Sequence, residues 1–162
     1  MRHTFLSIAI IFCFFSISEA QKAPLKNSIY FELGGLGGAY SINYERSFYF
    51  NKSFGLMAGV GFSPSLFDFE FSPRFPLRTI LFYEKNNHVI EGGFGATFYM
   101  RDYDNRREVN FESDTAILGQ FGYRYNFKNE KGFAGIAFTP LLYEKNRDNI
   151  LPWGALKIGS RF

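Results

Sequence analysis

Cysteine is almost missing from this chain. Cys13 is the only one and lies inside an N-terminal apolar run. The rest of the chain therefore has no thiol for a disulfide, a nucleophile or a soft metal ligand. Histidine is nearly as scarce, with 2 in 162 residues, too few for a transition-metal centre of clustered His and Cys. Charge of one sign is also lacking. The 18 Lys and Arg against 15 Asp and Glu leave a net +3, and the basic residues are interleaved with acids. A nucleic-acid surface needs them clustered, so no nucleic-acid partner is expected. Beyond the N-terminal run no segment approaches the roughly twenty apolar residues of a spanning helix.

The first twenty residues stand apart. Arg2 is followed by the apolar run Leu6 to Ile17 and then Ser18-Glu19-Ala20, with small residues where signal peptidase requires them. This is the layout of a secretory signal, with residues 1–20 removed and residues 21–162 forming one exported domain. An uncleaved anchor is the runner-up. Cys13 reads as a signal-peptide residue, since no small residues precede it as in a lipoprotein.

What the chain has in excess is aromatic residues, 22 Phe and 10 Tyr, and 16 Gly, a composition that favours strands joined by tight turns. Alternation with period two recurs over Ser28–Gly35, Ala39–Phe48, Ser53–Phe62, His88–Arg101, Asp114–Asn126, Gly132–Tyr143 and Trp153–Phe162. Leu77–Glu84 is apolar on both faces and its register stays open. The expected fold is all-β: a closed antiparallel up-and-down transmembrane β-barrel of about eight strands. Connections alternate between short (Tyr49–Lys52, Lys85–Asn87, Phe127–Lys131) and long (Ser63–Pro76, Asp102–Ser113, Glu144–Pro152), the asymmetry of bacterial outer-membrane barrels. Leu36–Gly38 breaks this pattern as a short turn on the long-loop side. Prolines 64, 73, 76 and 152 are expected in or beside loops, and Pro140 at a bulge.

A soluble barrel or sandwich would alternate too. Here the less apolar face carries Gly, Ala, Ser and Thr, which suit the cramped interior of eight strands. The other face carries large aromatics near strand ends, as interfacial girdles do. Glu32, Glu45, Glu91, Arg124 and Lys157 fall on the inward face in one layer, with Arg161 just below. Buried charges must pair, and strand adjacency suggests Glu91–Arg124 and Glu32–Lys157, with Glu45 sharing a cation. Such a cluster would plug the lumen; the alternative is a narrow ion path.

The C-terminal segment Trp153–Phe162, with Leu156, Ile158 and Phe162 on one face, resembles the recognition signal that outer-membrane barrels present to the barrel-assembly machinery. Ser160 stands where that signal usually has a second aromatic. Tyr30 to Arg46, with its Gly34-Gly35-Leu36-Gly37-Gly38 turn, looks like the first hairpin of small barrel proteins common in Bacteroidota. In pattern the whole mature chain is similar to OmpX-type and OmpA-type barrels. The resemblance implies the fold, a cell outer membrane location, and outer-membrane lipid and lipopolysaccharide as surroundings; it implies no activity.

Enzymes of this architecture modify lipid A with a Ser nucleophile and a His base. His88, the only His past the signal, sits at a short turn on the far side from lipid A. Asp102, Asp104, Glu108, Glu112 and Asp114 share a loop region with Arg101, Arg106 and Arg107, so self-pairing is favoured over calcium. Arg101, Arg106 and Arg107 suit lipopolysaccharide phosphates. Phe67, Phe69 and Phe71 alternate as a strand would and suit rim packing or strand addition by a partner. The expected function is non-enzymatic, envelope-structural or surface-interacting, with no cofactor. The alternatives are a lipid A-modifying enzyme and a narrow small-solute channel.

Overall fold

The computed structural model describes residues 25–64, 73–105, 108–128, 131–144 and 150–162; between 100 and 113 it describes the backbone only. The signal-peptide residues 1–20, together with Phe67, Phe69, Phe71, Arg106 and Arg107, lie outside the described residues. Nine strand segments follow in order: β1 (Asn27–Gly34), β2 (Tyr40–Tyr49), β3 (Phe54–Phe62), β4 (Arg74–Lys85), β5 (His88–Asn105), β6 (Glu108–Asn126), β7 (Gly132–Phe138), β8 (Leu141–Glu144) and β9 (Gly154–Arg161). From β1 to β7 each neighbour in sequence pairs antiparallel, β7 and β8 both pair with β6 as two pieces of one stave, and β7 pairs with β9. β1 pairs with β9, Ser28 opposite Arg161 and Glu32 opposite Lys157. The chain is thus a closed eight-stranded antiparallel up-and-down barrel. Closure leaves no free sheet edge around the ring.

Local chemistry explains the joints. Asn86 adopts φ 56° in the two-residue turn closed by Lys85 and His88, a conformation that Asn tolerates better than most residues and that matches the twist of a tight hairpin. Pro140 splits the seventh stave. Its carbonyl still accepts from the Gly119 amide at 2.9 Å, and the ladder shifts register opposite Ile117 and Leu118. Pro76 departs from the expectation of a loop: it sits inside β4, buried and paired with Thr97. Facing it is Gly61, where a Cβ would press on the proline ring; the missing side chain makes room.

Asp102–Ser113 also departs from expectation. Pairing of β5 with β6 runs on past the barrel rim to Asn105 opposite Glu108, with Arg101 opposite Glu112. An antiparallel ribbon satisfies its own backbone, so polar residues can stay in a hairpin where composition alone suggested a loop.

The face pattern is the inverse of a water-soluble protein. Along β4 the outward Phe75, Leu77, Leu81 and Tyr83 are exposed, while Arg78 between them is buried. The outward Ile90, Phe94, Phe121, Ile136 and Leu156 are likewise exposed. The inside is filled in layers. At the end bearing the long loops, Leu36 packs with Tyr99, Ala116, Leu118 and Leu141. Toward the end bearing the short turns and the chain's last residue, Met57, Ile80, Phe82 and Val89 form a second apolar layer. A charged layer lies between.

Candidate functional site in the barrel lumen

Inward alternation from several strands delivers six charged side chains to this middle layer: Glu32 from β1, Glu45 from β2, Arg78 from β4, Glu91 from β5, Arg124 from β6 and Lys157 from β9. Their side chains are at most 4% exposed. Three carboxylates face three cations, so the layer is formally neutral.

Arg78 crosses the lumen to grip Glu32 with two bonds, Nη1 to Oε1 at 3.0 Å and Nη2 to Oε2 at 2.8 Å. Its Nη2 also donates to Asn43 Oδ1 at 2.9 Å. Arg124 is shared: Nη2 donates to Glu45 Oε2 at 2.8 Å, while Nε lies 2.6 Å from Glu91 Oε1 as an ion pair without hydrogen-bond alignment. Lys157 donates to Glu91 Oε2 at 2.8 Å, and Gln120 adds a bond to the same oxygen at 3.2 Å.

Tyr30 stands at the centre. Its hydroxyl donates to Glu45 Oε1 at 2.5 Å. The Arg78 and Arg124 guanidinium carbons and the Lys157 nitrogen lie 5.5, 5.9 and 5.8 Å from its ring centroid. Arg124 also lies 4.3 Å over the Phe133 ring. Ring faces attract cations, so Tyr30 and Phe133 add to the carboxylate contacts that hold the two guanidinium groups. Inward glycines provide the space: a Cβ on Gly59 would sit 2.7 Å from Glu45 Cγ and 3.0 Å from Arg78 Cγ.

Glu32, Glu45, Glu91, Arg124 and Lys157 are all in this layer, and Arg124 is the cation Glu45 shares. The expected Glu32–Lys157 pair is corrected. Those residues are backbone neighbours, yet Lys157 reaches Glu91 and Glu32 is held by Arg78. A two-bond guanidinium grip outcompetes a single ammonium contact at the same carboxylate. The sequence reading missed Arg78 because Leu77–Glu84 is apolar on both faces. The signal was present: an Arg flanked on both sides by aliphatic and aromatic residues is placed inward by any register that puts Leu77 and Leu81 outside.

Arg161 lies beyond the Met57–Phe82 layer, in a separate ring near the turn end. Its Nη1 is 3.2 Å from Glu84 Oε1, which also accepts from Asn126 at 2.8 Å, and Tyr49 donates to Glu84 Oε2 at 2.8 Å. Outside this ring a wide-mouthed vestibule of 980 Å³ opens toward the turns.

The opposite end is closed by the Gly34–Gly38 turn. Three of its glycines have positive φ (Gly34, Gly35, Gly38), which lets the chain fold inward and drop Leu36 into the lumen, 2% exposed. Thr97 donates to the Leu36 carbonyl at 2.6 Å. The Leu36 side chain lies over Gly95, where a Cβ would collide with it. The sequence reading took this stretch only for a tight turn. Leu36→Ala should lower stability by about 2–5 kcal/mol, the usual cost of emptying a buried leucine site, measured by urea unfolding of the folded barrel.

The architecture is similar to that of a solved barrel. The relative is the N-terminal β-barrel domain of Pseudomonas aeruginosa OprF, with a TM-score of 0.53 and 14% sequence identity over 85% of this chain and 98% of that one. At that identity the likeness to OprF is one of fold. No family model and no curated protein matches the sequence.

The remaining sites fall outside the lumen. Leu156, Ile158 and Phe162 are exposed on the outer face of the closing strand and its end. Arg101 lies in the hairpin beyond the rim. His88 is exposed, its Nδ1 2.6 Å from the Tyr123 hydroxyl and its ring against Tyr125. Among the described residues no group of three or more His, Cys, Asp or Glu could hold a metal.

Proposed function

We propose that this protein is exported behind a cleaved signal at residues 1–20 and serves as a closed outer-membrane β-barrel. In this reading its role is envelope-structural or surface-interacting, without catalysis. One observation carries the proposal: the barrel wears its apolar side chains outside and its charges inside. That polarity fits lipid around the wall, because an aqueous exterior would leave a continuous apolar belt unburied. Two apolar layers and one neutral charged layer fill the lumen, which supports a plug over a conduit. The hairpin of β5 and β6 would stand outside the cell, and the vestibule would face the periplasm. Leu156, Ile158 and Phe162 would serve the assembly machinery, and Arg101, Arg106, Arg107 and the Phe67–Phe71 segment would meet lipopolysaccharide or a partner.

The test is refolding into detergent followed by gel migration with and without boiling, then planar-bilayer recording. Heat-modifiable migration and no stable conductance are expected. A protein that stays monomeric in water without detergent would refute the membrane reading; large, stable ohmic steps would refute the plug and favour the channel.

A further inference from the structure

The outer wall has one exception to its lack of charge. Away from the strand ends, the outward positions among the residues with described side chains are apolar, small or uncharged, apart from Arg46 of β2. Its partner in the structure is an aromatic ring: the guanidinium lies 5.8 Å from the centroid of Phe48, two positions nearer the turn end. Arg46 itself is three positions before Tyr49, the last residue of β2. A long cationic side chain there can lean to the membrane rim.

Register gives Arg46 its neighbours. Asn27, Arg46, Ala58 and Thr79 form one continuous row across β1 to β4. Asn27 Oδ1 accepts from the Tyr44 hydroxyl at 2.8 Å, which leaves the amide nitrogen as a second donor beside Arg46. Ala58 and Thr79 are short and exposed, and taller side chains flank them: Leu56 and Leu81 on one side, Val60 and Leu77 on the other. The row climbs away from the turn end, since Thr79 is six positions from Lys85 where Arg46 is three from Tyr49. A shallow notch therefore leads from the cation into the apolar belt.

We infer that Arg46 and Asn27 bind the phosphodiester of a membrane phospholipid at the turn-end rim, with one acyl chain lying in the Ala58–Thr79 notch. The inference rests on the membrane reading above. Arg matches phosphate with two parallel bonds, and an anionic oxygen there supplies the counter-charge that no carboxylate among the described residues provides. The apolar notch beside it selects a lipid over free phosphate.

Native mass spectrometry of the detergent-refolded barrel tests this, with dioleoylphosphatidylglycerol and the phosphate-free dioleoylglycerol as probes and inorganic phosphate as a third arm. The wild-type chain should retain the phospholipid about tenfold more than the diglyceride, the scale of one charge-assisted contact pair. Arg46→Gln should abolish that preference, and Arg46→Lys should keep part of it. Ala58→Phe fills the notch without touching the charge and should lower retention of both lipids. Equal retention of the two lipids, or an unchanged preference in Arg46→Gln, would overturn the site while leaving a heat-modifiable membrane barrel intact. Binding of inorganic phosphate as strong as that of the phospholipid would overturn the role of the notch. A chain that is monomeric in water would overturn both readings together.

Discussion

Arg78→Met should cost the folded barrel about 3–5 kcal/mol, the penalty for leaving a buried charge without its partner. Glu32 is fully buried and takes both of its short cationic contacts from Arg78. Removing the guanidinium also strips donors from Asn43 and Gln120 and upsets a layer in which three carboxylates balance three cations. The double variant Arg78→Met with Glu32→Gln should recover a large part of the loss, because no net charge is then stranded. Urea unfolding in lipid vesicles would measure both. A single variant as stable as wild type would mean that the lumen is wet enough to screen Glu32, and the plug would fail with it.

Phe94→Arg should be the second severe change, costing about 2–4 kcal/mol if the wall faces lipid at mid-depth. Phe94 is 64% exposed and lies near the middle of the part of β5 that pairs with β4. Phe94→Leu should be nearly neutral. In a water-soluble protein an exposed Phe→Arg change stays within about 0.5 kcal/mol, so the same unfolding assay discriminates between solvents for the outer wall. Near-identical stability of wild type and Phe94→Arg would turn the barrel inside out as an interpretation.

Most of the barrel is legible in the sequence. Alternation of Ile29, Phe31 and Leu33 with Tyr30 and Glu32 assigns both faces of β1 without tertiary information, because successive side chains of a strand point to opposite sides. The same reasoning placed Glu45, Glu91, Arg124 and Lys157 inside. It failed where alternation fails. The inward Ile80 and Phe82 are as apolar as the outward Leu77, Leu81 and Tyr83, so β4 looked apolar on both faces and hid Arg78. Adjacency gave the Glu91–Arg124 pair correctly but failed for Glu32 and Lys157: strand adjacency predicts backbone neighbours, whereas Arg78 and Lys157 reach across the lumen to Glu32 and Glu91 instead. Leu36 was missed because a glycine-rich turn has no period and its inward fold depends on the three positive-φ glycines.

The sequence by itself determined the strand count, the two faces of most strands and the inward placement of Glu32, Glu45, Glu91, Arg124 and Lys157, since a period of two and the cost of burying an unpaired charge are local constraints. Tertiary structure alone decided that Arg78 holds Glu32 and that Lys157 reaches Glu91, that Leu36 caps the lumen, and that Asn27, Arg46, Ala58 and Thr79 share one outer row. Those facts depend on distances across a closed barrel between residues far apart in the chain, and no local pattern records them.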